Sequence, residues 1–214
     1  GINMNFAPCI DVNTNPNNPI IGERAFSNKP EEVILGQKIV STTYRNNGII
    51  PCVKHFPGHG DANADSHLTL PQINLTLKEM EQTHIKPFAD AVKDGIEMVM
   101  VAHLHCTSFE KEEIPTSLSK NAINYLRNSL NFNGVAISDD MIMKGVAKFG
   151  AKTACEMGIR AGLNMFIYRN SLPETIDIIE FLVQKAQGDR ELFANIETSF
   201  EKIIELKKKF GLLK

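Results

Sequence analysis

Short apolar runs alternate along the chain with stretches whose apolar residues recur every three or four positions. The runs cover 2–10, 48–56, 96–104, 134–138 and 163–168. They are almost unbroken in apolar residues, as strands covered on both faces must be. The intervening periodicity predicts helices near 30–46, 76–94, 119–130, 149–161, 173–186 and 191–210. Thr76 and Glu79 form a capping-box pair, with Leu75 and Met80 placed as its hydrophobic staple. Ser171 and Glu174 repeat the box around Pro173, and Asn28 with Glu31 offers a similar start for the first helix. In the 173–186 helix, Ile176, Ile179, Leu182, Val183 and Ala186 make an apolar stripe. Lys207, Lys208 and Lys209 near the chain end read as a solvated face that suits a helix C-terminus.

A strand followed by a helix, repeated, implies an α/β fold with a parallel sheet, either doubly wound or curled into a barrel. A closed (β/α)8 barrel has eight strands, and the pattern supplies five. The sheet is therefore open, or the chain holds about the last five strand–helix units of an incomplete TIM barrel. No Gly/Ser or Pro tract divides the chain, so residues 1–214 read as one domain.

Composition narrows the partners. The chain has a formal charge of −2 at neutral pH, with 23 basic and 25 acidic residues interspersed. No basic stripe forms, so nucleic acid is not the expected partner. No apolar run is long enough to span a bilayer, so no membrane association is expected. Cys9, Cys52, Cys106 and Cys155 are far apart and lack a C-x-x-C pair, which reads as four reduced thiols rather than a disulfide frame or zinc knuckle. With no leader sequence at Gly1, the expected location is the cytoplasm.

Polar residues collect where each apolar run ends. Asp11 follows the first run, Lys54 and His55 close the second, and His103 and His105 close the third. Asp139 and Asp140 end the fourth, and Arg169 the fifth. Carboxyl ends of parallel strands are where such folds bind ligands. The densest stretch runs from Lys54 to His67 and holds three histidines, two aspartates and two glycines. His55 and His59 have metal-like spacing, but Pro57, Gly58 and Gly60 oppose the helix that would put them on one face. His59 is expected to satisfy a buried carbonyl, and no metal site is expected. Asp65 and His67, two apart, share a side in an extended segment. There the carboxylate would hold the imidazole's tautomer and support its protonated form. Asp139 is the better candidate for direct chemistry; Asp140 fits the cap of the following segment.

Five motifs then occur together and in order. They are Phe6-Ala7-Pro8-Cys9-Ile10-Asp11, Ile21-Gly22-Glu23-Arg24-Ala25-Phe26-Ser27, Lys54-His55-Phe56-Pro57-Gly58-His59-Gly60, Asp65-Ser66-His67 and Ile137-Ser138-Asp139-Asp140. This set closely resembles glycoside hydrolase family three, in particular the single-barrel bacterial β-N-acetylglucosaminidases of peptidoglycan recycling. The resemblance implies retaining hydrolysis of terminal β-linked N-acetylglucosamine, the muropeptide N-acetylglucosaminyl–anhydromuramyl disaccharide being the implied substrate. It assigns Asp139 as nucleophile, His67 as acid/base and Asp65 as its orienting partner. Arg24, Lys54 and His55 match residues that hold sugar hydroxyls, and no cofactor is implied. Family members carry about three further strands before the segment at Gly1, which would complete the eight. The exposed sheet edges then invite association with another chain or with a missing N-terminal part. Three alternatives stay open: a β-N-acetylglucosaminide phosphorylase, a non-catalytic sugar-binding fragment, and a zinc-dependent hydrolase built on His55, His59 and His67.

Overall fold

The computed structural model describes residues 1–62, 70–170 and 173–213. Every apolar run contains a strand. β1 (Met4–Asn5) is followed by α1 (Pro30–Asn46), β2 (Ile50–Phe56), a short β3 (Gln72–Ile73), α2 (Leu77–Gln82) and α3 (Lys86–Lys93). Then come β4 (Met98–Val101), a short β5 (His105–Cys106), α4 (Lys120–Asn124), β6 (Val135–Asp140), α5 (Lys144–Ala147) and α6 (Ala151–Ala161). β7 (Met165–Ile167), α7 (Pro173–Gly188) and α8 (Arg190–Lys209) complete the order.

The main sheet runs β1-β2-β4-β6-β7, and every pairing in it is parallel. Spatial order follows chain order, so each crossover steps the same way. A doubly wound sheet reverses direction at a switch point; here none occurs among the described residues. The architecture is a curled α/β half-barrel, an incomplete TIM barrel. No helix among the described residues is long and apolar enough to cross a membrane.

Successive side chains leave opposite faces of a strand, and the cores divide accordingly. Val53, Val99, Val101 and Ala136 face outward onto Val33 of α1, Phe88 of α3 and Ile123 of α4. Ile50, Cys52, Met98, Met100, Val135 and Ile137 face inward, where Ile203 and Leu206 of α8 pack against them with Phe210. The end of α8 is fixed at the amino ends of the strands. Lys209 reaches Glu97 at 2.9 Å, and Arg45 meets the same buried carboxylate at 2.9 Å. Lys207, Lys208 and Lys209 are exposed, as the solvated face expected of them, and the Lys209 ammonium reaches from that face to the buried Glu97 carboxylate.

Local expectations held in part. Thr76 closes its capping box with Glu79, and Leu75 packs against the cluster that holds Met80. The single helix expected over 76–94 is two, because Pro87 has no N–H for a ladder that ran through from α2. Asn28 and Glu31 do not cap α1. Pro30 in the first turn makes Lys29 the boundary residue. Ser27 Oγ instead accepts from the Lys29 amide at 3.1 Å and donates to Glu32 at 2.5 Å. Ile176, Ile179 and Val183 on α7 are more than half exposed. The line that packs is Ile178 with Leu182 and Ala186, against Ile159 and Leu192, since α6 and α8 lie on that side. The Ser171 cap lies outside the described residues.

Candidate active site

The site begins with Asp11, which is fully buried. Residues beyond β1 continue alongside β2, with Cys9 bridged to Lys54 and the Ile10 amide donating to the Lys54 carbonyl at 2.8 Å. That register sets the Asp11 carboxylate beneath the 54–60 loop. Its Oδ1 accepts from the His59 amide at 2.6 Å and its Oδ2 from the His55 amide at 3.2 Å. Oδ2 also lies 2.7 Å from His55 Nδ1 and accepts from Cys9 Sγ at 3.1 Å. Burial alone would raise the Asp11 pKa, but His55 and the His59 amide outweigh it and hold the carboxyl well below the usual range. A carboxylate only accepts, so Nδ1 of His55 carries the proton. Nε2 is then an acceptor, and it faces Arg24 Nη2 at 3.3 Å.

Arg24 ends a 3-10 turn, Gly22–Arg24. Asn18 holds that turn to the loop. Its Oδ1 accepts from the amides of Ile20 at 2.9 Å and Ile21 at 2.8 Å, and its Nδ2 donates to the His59 carbonyl at 2.8 Å. Gly60 lets the loop lie this close to the first strand segment: a Cβ there would sit 1.8 Å from the Val12 carbonyl oxygen.

Above these supports opens a cleft of about 210 Å³ whose polar lining is Arg24, Lys54, His55, His59 and Asp139, over Phe6, Met100 and Ile167. Asp139 comes from the carboxyl end of β6. Its Oδ1 accepts from the Asp140 amide at 2.8 Å, and the other oxygen takes no hydrogen bond from the described residues. Burial pushes its pKa up, but the imidazoles of His55 and His103, the Asp140 amide and Lys54 more than offset this. The net shift is downward, so Asp139 is ionised near neutral pH.

Four of the six residues singled out from sequence therefore meet at one cleft: Arg24, Lys54, His55 and Asp139. Asp65 and His67 lie outside the described residues. Other strand-end candidates do different work. His103 is buried between Ser117 Oγ at 2.7 Å and the Asp140 carbonyl at 3.2 Å. His105 contacts the Glu110 carbonyl at 3.0 Å. Arg169 pairs with Asp140 at 3.2 Å, while Asp140 Oδ1 accepts from the Ile142 amide at 3.3 Å as a cap. His59 departs from expectation: both ring nitrogens are buried without a hydrogen-bond partner among the described residues. Burial and then the neighbouring His55 push its pKa down, so the ring is neutral. Asn18 carried no sequence signal; a lone asparagine in a loop looks like any other.

Comparison with known proteins places this geometry. "Beta-hexosaminidase A" of Pseudoalteromonas piscicida is 32% identical over 229 residues, covering 98% of this chain and 38% of its own. The structure of a glycoside hydrolase family 3 β-N-acetylglucosaminidase from Paenibacillus sp. str. FPU-7 superposes with a TM-score of 0.91 at 31% identity, over 98% of this chain and 40% of that one. A "Beta-glucoside phosphorylase BglX" superposes with a TM-score of 0.91 at 28% identity, over 99% and 40%. The chain thus spans about two fifths of the length of these relatives. Residues 1–206 match the Glycosyl hydrolase family 3 N terminal domain, and the chain belongs to that family.

Proposed function

We propose that the chain carries the nucleophile and sugar-holding side of a retaining glycoside hydrolase that removes terminal β-linked N-acetylglucosamine. The observation that carries this reading is Asp139, ionised, opening from β6 into the cleft lined by Lys54, His55 and Arg24. One Asp139 oxygen is occupied by an amide, so the other attacks the anomeric carbon and forms a covalent glycosyl-enzyme. His67, oriented by Asp65, protonates the leaving oxygen and then takes a proton from the attacking water. Lys54 and Arg24 donate to sugar hydroxyls, and His55, held by Asp11, offers Nε2 as acceptor. Names of relatives, "Beta-hexosaminidase A" and a β-N-acetylglucosaminidase, support the substrate class. We extend the reading to N-acetylglucosaminyl–anhydromuramyl muropeptides of cell-wall recycling in the cytoplasm. An adjoining segment or another chain would pair with the free edges of β1 and β7.

The test is release of p-nitrophenol from its β-N-acetylglucosaminide by the chain and by Asp139→Ala. Turnover by the parent alone is expected; equal turnover by both would refute the nucleophile assignment. Silence from both would mean that the sugar pocket needs residues beyond these 214. Phosphorolysis is the second reading, favoured by the similarity to a β-glucoside phosphorylase. A neutral imidazole acid/base does not repel phosphate as a carboxylate would. Turnover that rises with added phosphate and yields a sugar phosphate would select it.

A further inference from the structure

The support beneath the cleft is also a set of metal ligands. Cys9 Sγ, Asp11 Oδ2 and His55 Nδ1 lie within 4.8 Å of one another, and the oxygen is within hydrogen-bonding distance of both others. Thiolate, carboxylate and imidazole are the donors that zinc takes, at about 2.0–2.3 Å. The carboxylate is held in place from its far side, since Oδ1 stays on the His59 amide at 2.6 Å. Of the chain's four cysteines, Cys9 alone is partly exposed. The His59 imidazole stands beside the set, its ring centroid 6.1 Å from that of His55. Only 2% of the residue is exposed, and both ring nitrogens lack a partner among the described residues.

We propose that Cys9, Asp11 and His55 form a site for a thiophilic divalent cation, Zn2+ or Cd2+, and that filling it displaces Arg24 from the sugar cleft. The exchange balances. Cys9 loses its thiol proton to solvent, and the cation takes the sulfur, the Asp11 oxygen and the Nδ1 lone pair. The Nδ1 proton leaves and Nε2 takes one up, so the imidazole stays neutral and one proton is released overall. Thiolate and carboxylate together cancel the charge of the cation. Nε2, an acceptor toward Arg24 Nη2 at 3.3 Å, becomes a donor facing a donor, and Arg24 is driven from its place in the cleft. The cation is thus an inhibitor, bound behind the sugar pocket and acting through the tautomer of His55. The inhibitory consequence rests on the function proposed above; the binding does not.

The experiment titrates the whole chain with Cd2+ and follows the ultraviolet thiolate-to-cadmium charge-transfer band. Nitrogen-edited NMR reads the tautomer of His55 in parallel. One equivalent of Cd2+ should raise the band, shift Nδ1 and move the ring proton to Nε2. Cys9→Ser keeps a hydroxyl for Asp11 and should lose the band. Cys9→Ala, checked by circular dichroism, guards against a misfolded serine variant. Asp139→Ala should retain the band in full. In chain that turns over the p-nitrophenyl substrate, Cd2+ should inhibit, and Cys9→Ser should weaken inhibition by at least about tenfold, the least that a residue outside the ligand set does to metal affinity. No band in the parent, or a band unchanged in both Cys9 variants, would overturn the site. A band with His55 still protonated on Nδ1 would overturn the coupling. A chain without turnover that keeps the Cd2+ band and the tautomer change would still support the site and its coupling, since both are read without substrate.

Discussion

Replacing Asp11 with asparagine tests the foundation of the cleft. The two side chains have nearly the same shape, so no cavity opens and the change isolates charge and hydrogen bonding. The carboxylate accepts four bonds: two backbone amides at 2.6 and 3.2 Å, His55 Nδ1 at 2.7 Å and Cys9 Sγ at 3.1 Å. An asparagine offers one accepting oxygen and a donating amide. Whichever way it turns, part of this set faces a donor in a fully buried site. Each bond to a charged group contributes about 1.5–3 kcal/mol, and losing two matches the cost of breaking a buried pair, about 3–5 kcal/mol. Against a total stability of about 5–15 kcal/mol, the loss should be plain in urea unfolding followed by far-ultraviolet circular dichroism. The midpoint should fall with little change in slope. NMR should show His55 released from its single tautomer, because an asparagine serves either ring form. A loss below about 1 kcal/mol, the scale of one ordinary hydrogen bond, would refute the reasoning, as would an unchanged His55.

Three further outcomes follow from other contacts. Gly60→Ala places a Cβ 1.8 Å from the Val12 carbonyl oxygen. Backbone meets backbone there, so destabilisation of about 3 kcal/mol or more is expected in the same urea assay. Thr76→Ala removes one half of the capping box on α2 and should cost about 1 kcal/mol; no change would mean the α2 start is held by Leu75 packing alone. His59, His84 and His103 all have pKa values lowered, chiefly by burial. Folded pKa values below the unfolded one mean the unfolded chain takes up protons first as pH falls. Their contribution is complete above about pH 6.5 and is lost below it, at up to about 1.4 kcal/mol per pH unit for each histidine. Urea midpoints that stay level between about pH 7.5 and 5.5 would contradict this.

All five main strands were legible in the sequence, because a strand covered on both faces has to be apolar over several residues in a row. Helix positions followed from periodicity, except where Pro87 divides one segment and where α6 and α8 select the 178–182–186 line of α7. The motifs gave Arg24, Lys54, His55 and Asp139 as a group. Winding direction was not legible, since the same alternation suits a doubly wound sheet and a barrel. It rests on pairings such as Met4 with Ile50 and Met98 with Val135, contacts distant in sequence. Tertiary structure likewise decided which strand-end polar residues reach the cleft. His103, His105 and Arg169 have the same kinds of side chain as the residues that do, but each lies nearer a carbonyl or carboxylate that claims it. Cys9, Asp11 and His55 show the same division: their identities are in the sequence, while their convergence is not. Asp11 and His55 stand 44 residues apart, and only the parallel alignment of the first segment with β2 brings a thiol, a carboxylate and an imidazole to one point.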